Sequence, residues 1–325
     1  MKTKAVYVVV SDDTDFYLEQ AVISITSLKR TNPTMSVYVI VDGKTKTSLI
    51  GGRSRLFEVA DKVVEVDCPA EMSKQQCSRQ LKTTVREIVE GDYLFIDTDT
   101  VITGDLSAID GFECEIGAVK DKHLALSMHP MATSIGRWAS YIGWECDLST
   151  DNYFNSGVMY VKDTPDTHRF YKRWNEEWKH SVSRGINLDQ PALGKVDNEL
   201  RLISEIDGPW NCQVTDNGLK YLYDAKIIHY FASMQKWDTP EEITYYFRKP
   251  EIFERLRKNG LKIDETSLLQ IEQAKSAFNS RIMVMSGKNI DLQNSRLFRA
   301  LRKCYFNHPS IFGKCERLVN FFFKD

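Results

Sequence analysis

Apolar residues fall into two alternating rhythms through the first half of the chain. AVYVVVS (5–11) is a continuous β-branched run, as expected of a strand covered on both faces. YLEQAVISITSLKRTN (17–32) follows with apolar residues at 18, 22, 25 and 28, a helical spacing. VYVIVD (37–42) and KVVEVD (62–67) read as strands, SKQQCSRQLKTTVREIVE (73–90) as a helix, and DYLFIDTD (92–99) as a strand again. This β-α-β alternation predicts a parallel, doubly wound α/β sheet. Ligands bind such sheets at the carboxyl ends of the strands. Further on the pattern loosens. FNSGVMYV (154–161) reads as a strand interrupted early by glycine, TPDTHRFYKRWNEEWKHSV (164–182) as a helix opened by Thr-Pro, and AKIIHYF (225–231) as a late strand. Beyond these the chain turns helical, in PEIFERLRKNG, ETSLLQIEQAKSAFNSRIM and SRLFRALRKCYF. The expected division is an α/β domain over 1–247 and a helical C-terminal extension over 248–325, with no internal repeat or low-complexity linker.

The apolar run Tyr93–Ile96 stops on two acids, Asp97 and Asp99. Residues i and i+2 of an extended chain point the same way. Two hard oxygen ligands on one side suit Mg²⁺ or Mn²⁺ bridging a diphosphate. A solvated strand end explains the pair equally simply, and Asp13-Thr14-Asp15 shows that the pattern recurs by chance. No G-x-G-x-x-G and no G-x-x-x-x-G-K-[ST] occurs, which disfavours a dinucleotide dehydrogenase or a P-loop NTPase. A nucleotide bound here would need a metal and basic side chains to neutralise its phosphates.

Composition narrows the class. The 325 residues are 42% hydrophobic and 27% charged, with a mean hydropathy of −0.37, and no stretch approaches the roughly 18 apolar residues of a membrane span. The N-terminal apolar run is short and ends in acids, so it reads as a buried strand and not a signal peptide. Seven cysteines at scattered spacings, with no C-x-x-C, argue against a disulfide framework or a zinc site and for a reducing cytosol. The net charge of −2 hides an asymmetry. Residues 248–325 hold 16 of the 43 basic and only 8 of the 45 acidic residues. An acidic body with a basic tail suggests two tasks. No nucleic-acid partner is expected.

The blocks VYVVVSDDTDFYLEQAVISITSLKRTNP, SRQLKTTVREIVEGDYLFIDTDTVI, NYFNSGVMYV, LDQPAL and IIHYFASMQKW, in this order, resemble the family 8 glycosyltransferases. These are retaining GT-A-fold enzymes that use UDP-sugars, among them glycogenin and bacterial lipopolysaccharide galactosyl- and glucosyltransferases. The resemblance covers roughly residues 4–237 and implies a doubly wound, Rossmann-like mixed sheet. It also implies that Asp97 and Asp99, with Thr98 between them, hold Mn²⁺ (or Mg²⁺) under the UDP diphosphate, and that His229 is the third metal ligand. A lone strand histidine is more often structural, but its place before Trp237 favours the ligand role.

Asp12 resembles the residue that accepts a hydrogen bond from uracil; its bland role would be to cap the next helix. Arg79 resembles the basic residue that reaches the diphosphate or sugar. A solvated helix face is its plain alternative, and Lys82, one turn on, is a rival for the task. Asn155, Ser156 and Gly157 resemble the segment beside the donor sugar, where glycine permits close backbone approach. Asp189 and Gln190 resemble the pair near the anomeric carbon, and Asp189 before Gln190-Pro191 is also a plausible helix N-cap. Asn211 resembles another active-site asparagine. The family's His-x-x-Gly-x-x-Lys-Pro-Trp becomes HYFASMQKW here, so Ala232 replaces the glycine, the proline is absent, and Lys236 sits one place late. That puts phosphate contacts from this loop in doubt.

The resemblance implies transfer of galactose or glucose from a UDP-sugar to a saccharide or glycolipid acceptor, as in lipopolysaccharide or surface-polysaccharide synthesis. Retention is expected by same-face attack, with Gln190 steadying the anomeric centre and Asp189 the only carboxylate of its motif. Residues 296–325 mix seven basic residues and six phenylalanines with two acids, which suits peripheral attachment to an anionic membrane on its cytoplasmic face. A helix packed on the body with a solvated basic face fits the same pattern. A sugar nucleotidyltransferase and a non-catalytic sugar-nucleotide-binding protein are the alternative functions.

Overall fold

The computed structural model describes residues 1–214, 217–230, 250–276 and 288–322. In chain order the first half contains β1 (Lys4–Val9), α1 (Tyr17–Thr31), β2 (Val37–Val41), α2 (Gly43–Ser48), α3 (Leu56–Val59), β3 (Lys62–Glu65), α4 (Lys74–Thr83), α5 (Val85–Ile88), β4 (Tyr93–Ile96) and β5 (Thr100–Ile102). There follow β6 (Ile116–Lys120), α6 (Ala132–Tyr141), β7 (Phe154–Val161), α7 (Pro165–Ser183), α8 (Gln190–Leu200), β8 (Ile203–Glu205), β9 (Cys212–Gln213) and β10 (Ile227–His229). The C-terminal helices are α9 (Pro250–Lys258), α10 (Glu265–Glu272), α11 (Lys288–Asn294), α12 (Arg296–Asn307) and α13 (Pro309–Phe322).

Seven strands form one sheet in the order β3-β2-β1-β4-β7-β6-β8. β3, β2, β1 and β4 are parallel, and β7 runs antiparallel to both β4 and β6. The sheet is therefore mixed, as the resemblance implies, and the parallel sheet expected from the β-α-β rhythm holds for β3, β2, β1 and β4 but not for β7. Period-2 alternation explains why its strands read as continuous apolar runs. Ala5, Tyr7 and Val9 of β1 point into one core with Leu18, Val22 and Ile25 of α1. Val6, Val8 and Val10 point into the opposite core with Leu81, Phe170, Trp174 and Val196 from α4, α7 and α8. Each Val, Leu, Ile or Phe side chain so buried contributes about 1.5–3 kcal/mol. α9 and α10 add Ile252, Phe253, Leu256 and Ile271 to the α1-side core. A satellite core gathers Leu126, Ile135, Ala139, Ile142 and Trp144 around α6.

Three expectations are corrected. Gly157 does not interrupt its strand: β7 runs unbroken and all eight of its residues are buried. The helix expected over 73–90 splits at Thr84 into α4 and α5. Thr83 and Thr84 turn their hydroxyls back to the carbonyls of Arg79 and Gln80, both at 2.9 Å, a local competition that breaks helices. Finally, Cys68 and Cys77 form a disulfide, while Cys114, Cys146, Cys212, Cys304 and Cys315 are free thiols. Scattered spacing hid the bridge because the loop after β3 folds back against the first turn of α4.

Candidate active site

The second, smaller sheet brings the distant parts of the site together. β10 pairs antiparallel with β5, so that His229 lies opposite Thr100, and Tyr230 N–H donates to the Asp99 carbonyl at 2.9 Å. The Thr100 hydroxyl donates to the Asp97 carbonyl at 3.0 Å and closes the turn that carries both acids. Asp97, Asp99 and His229 each offer one ligand atom, all within 4.8 Å of one another. His229 Nε2 lies 3.2 Å from Asp99 Oδ1.

These residues fit a divalent cation. The donor set is hard oxygen plus imidazole, apt for Mn²⁺ or Mg²⁺. The space beside it exists only because residue 157 lacks a side chain. A Cβ there would stand 2.4 Å from His229 Cε1 and 2.7 Å from Asp97 Oδ2. Charge completes the case. Among the described residues, Lys82 Nζ makes weak contacts to Asp97, at 3.3 Å to Oδ1 and 3.4 Å to Oδ2. Lys82 itself is only 3% exposed and also reaches Ser156 Oγ at 3.1 Å and Asp189 Oδ2 at 3.5 Å. Arg79 Nε lies 3.0 Å from Asp189 Oδ1. Two basic side chains thus face three carboxylates, and a cation held by Asp97, Asp99 and His229 would offset the charge that a diphosphate meets there.

Asp189 occupies the N-cap position of α8 but does not cap it with its side chain. Its carboxylate turns instead to Ser156 Oγ, which donates to Oδ2 at 2.8 Å, and to the two cations. Burial pushes its pKa up, but Lys82 and Arg79 outweigh burial and hold it at about 2. Trp174 Nε1 anchors the same residue by donating to its carbonyl at 3.1 Å. Gln190 Nε2 donates to the Phe154 carbonyl at 3.2 Å, against β7. Asp99 is also held low: burial raises its pKa, and His229 beside it more than reverses that.

The structure brings Asp97, Asp99, His229, Arg79, Lys82, Ser156 and Asp189 into one cluster, with Asn155 and Asn211 behind it. Arg79 and Lys82 both face Asp189 from one side of α4. Thr98 turns toward α1, its hydroxyl 3.4 Å from Gln20 Oε1. Asp12 lies apart at the end of β1. Its Oδ1 accepts from Thr14 N at 2.8 Å and pairs with Lys74 Nζ at 2.8 Å, and it does not cap α1. The Lys74 and Thr14 contacts lower its pKa. Lys74 opens α4 and Lys82 closes it, about 12 Å apart along the axis. One helix therefore spans from Asp12, paired with Lys74, to Asp97 and Asp189, paired with Lys82. Lys236 and the loop around it lie outside the described residues. Sequence reasoning missed Asp121 and His129, which stand behind Asn155.

No protein-family model matches the chain. No curated protein matches it. Among solved structures it is similar to the galactosyltransferase LgtC in complex with donor and acceptor sugar analogues, at 15% identity and a TM-score of 0.54, over 82% of this chain and 100% of that one. An active-site mutant of LgtC gives a TM-score of 0.52 at 14% identity over the same shares. Apo mouse xyloside xylosyltransferase 1 gives 0.50 at 14% identity, over 72% of this chain and 99% of that one. The chain therefore has the α/β, GT-A type of fold found in glycosyltransferases, in keeping with the family 8 resemblance of its motifs.

Proposed function

We propose that the protein is a retaining glycosyltransferase. It moves a hexose, galactose or glucose, from a UDP-sugar to a saccharide or glycolipid acceptor. Mn²⁺ (Mg²⁺ as the alternative ion) is held by Asp97, Asp99 and His229. The single observation that carries this is the convergence of the turn holding Asp97 and Asp99 with His229 of β10, far off in the sequence, beside the Gly157 gap. When bound, the ion supplies Lewis-acid stabilisation of the departing diphosphate.

The chain's own residues supply the rest. In this reading Arg79 and Lys82 contact the diphosphate or the sugar, and Asp12 accepts a hydrogen bond from the base. Asp189 has both carboxylate oxygens engaged by cations, and a carboxylate held at about 2 is a weak nucleophile. That favours same-face attack over a covalent intermediate. In this reading Gln190, whose Nε2 donates to the Phe154 carbonyl, uses its amide oxygen to steady the anomeric centre, where positive charge develops. Peripheral attachment on the cytoplasmic membrane face belongs to this proposal. No helix among the described residues is long and apolar enough to cross a membrane. The Cys68–Cys77 bridge is the observation that weighs against a fully reduced compartment.

The test is a panel of UDP-sugars incubated with Mn²⁺ and scored for UDP release. One or two hexoses should support turnover, and Asp97→Ala or Asp99→Ala should abolish it together with Mn²⁺-dependent UDP binding. Full activity in either variant, or in EDTA, would overturn the metal role. Pyrophosphate release would point to a nucleotidyltransferase, and binding without turnover to a sugar-nucleotide receptor.

A further inference from the structure

Behind His229 runs a line of buried polar side chains. His229 Nδ1 lies 2.9 Å from Asn211 Oδ1, and Asn211 Nδ2 donates to Asn155 Oδ1 at 2.9 Å. Asn155 Nδ2 donates to Asp121 Oδ1 at 2.8 Å, and Asp121 Oδ2 stands 2.9 Å from His129 Nε2. The line ends on backbone, where Met131 N–H donates to His129 Nδ1 at 3.0 Å. None of the five side-chain-bearing residues is more than 4% exposed. An unmatched donor or acceptor anywhere along the line would therefore be costly.

Hydrogen-bond polarity along this line is forced. Met131 occupies the lone pair of His129 Nδ1, so the ring proton sits on Nε2 and points at Asp121. Gly157 N–H donates to Asn155 Oδ1 at 3.0 Å, so Asn155 must turn Nδ2 toward Asp121. Asp121 consequently faces two donors and must only accept, which an ionised carboxylate does. Burial raises its pKa, but the His129 hydrogen bond and the nearby Lys122 charge bring it below the ordinary value. Asn211 must then donate to Asn155 and offer its own Oδ1 to His229. An acceptor at that point requires a proton on His229 Nδ1. In the neutral ring the lone pair falls on Nε2, the nitrogen that faces Asp99.

Building on the metal-site reading above, we propose that Asp121 and His129 are positioning residues. Through Asn155 and Asn211 they fix the His229 tautomer whose Nε2 can bind a divalent cation. Asp121 directly follows β6 and His129 precedes α6, so the satellite core around α6 holds the outer end of the line. Outer partners of this kind orient a ligating imidazole and raise its basicity.

The test uses the full chain with Asp121→Asn, His129→Leu and His129→Gln. Asn at 121 sets an amide N–H₂ against one of the two donors. Leu at 129 strips Asp121 of a partner, whereas Gln can still accept from Met131 and donate to Asp121. Mn²⁺ affinity, read by titration against the spin-resonance signal of the free ion, should fall about tenfold or more in Asp121→Asn and His129→Leu and be kept in His129→Gln. Long-range nitrogen–proton correlation on metal-free protein with labelled histidine, at alkaline pH, should show His229 protonated on Nδ1 in wild type. It should show mixed tautomers in Asp121→Asn. Wild-type affinity in both weakened variants, with the Nδ1 proton retained, overturns the proposal. Should Asp121→Asn fail to fold, the Leu and Gln variants at 129 decide it by the same two readouts. Should wild type bind no Mn²⁺, the metal reading itself fails. The tautomer then decides alone: a mixture in the variants sustains the relay, and an unchanged ring overturns it.

Discussion

One nitrogen of His229 serves two competitors. Burial pulls the pKa of its imidazolium down, but Asp99 and then Asp97 outweigh burial, and the pKa is raised. A proton on Nε2 pairs with Asp99, and a metal ion needs the same lone pair. For a histidine whose folded pKa is raised, the stabilisation is complete below the ordinary value of about 6.5 and is lost as pH climbs through the folded value. The metal-free protein should therefore melt at lower temperature as pH rises through that window. Mn²⁺ affinity should strengthen over the same window, so saturating Mn²⁺ should shrink or reverse the loss. Thermal denaturation in EDTA and in Mn²⁺ across a pH series checks both. A metal-free melting temperature that is flat or climbs there would sink the pairing. At this scale Asp97 and Asp99 stand out in the sequence through context, since Asp-x-Asp recurs at Asp13–Asp15 but only the 97–99 pair ends the apolar run Tyr93–Ile96 within the ordered blocks. Arg79 and Lys82 read as alternatives, since spacing alone does not say that both sides of a carboxylate are taken. Asp121 carried a usable signal: IGAVKD repeats the pattern of YLFID, and β6 runs parallel to β4. His129 carried none, because its partner is eight residues back across an irregular loop.

Among the elements, α4 links the parts of the site, and two devices secure its start. Ser73 and Gln76 form a reciprocal capping box, and the Cys68–Cys77 bridge ties the first turn to the loop after β3. The same helix carries Lys74, Arg79 and Lys82. Opening a bridge with a sequence separation of nine should cost about 2–3 kcal/mol in the chain-entropy account. Reduction, or Cys68→Ser with Cys77→Ser, should lower the denaturant midpoint by that equivalent. It should also raise the KM for the donor more than it lowers kcat, since α4 carries Arg79 and Lys82, the residues proposed to bind the donor. A midpoint indifferent to reductant would show that the bridge does not tie the helix down. Long periodic elements such as α1 and α7 are visible in the sequence, as is the unbroken run of β1. The strands β5, β8 and β9 have two or three residues each, too few to show any period. Yet it is the pairing of β5 with β10 that carries His229 to Asp99, and register across 130 residues leaves no local trace.

For the whole molecule, composition and packing draw the boundary in different places. Basic residues begin to dominate at 248, but Ile252, Phe253, Leu256 and Ile271 belong to the core that also holds β1 and α1. Arg257 adds an ion pair to buried Glu19 of α1 at 2.7 Å. Beyond α10 the character changes. On α12, Leu297 is 69% exposed and Tyr305 53%, and on α13 Leu318 is 62% exposed. These apolar side chains share two short helices with Arg296, Arg299, Arg302, Lys303, Lys314 and Arg317. Such a surface suits anionic lipid, where each basic residue near the headgroups contributes about 1 kcal/mol and apolar side chains enter the interface. Two truncations separate the tasks. Ending the chain after residue 287 should leave the denaturant midpoint and UDP-sugar hydrolysis close to wild type and abolish cosedimentation with vesicles rich in anionic lipid. Wild-type binding to those vesicles should fall steeply with salt and be absent on neutral ones. Ending it after residue 248 should instead strip the α1-side core and leave the protein insoluble or unfolded. If the chain ending at 287 still sediments with anionic vesicles as wild type does, the helices α11–α13 are not the membrane contact, and their exposed apolar face needs another partner.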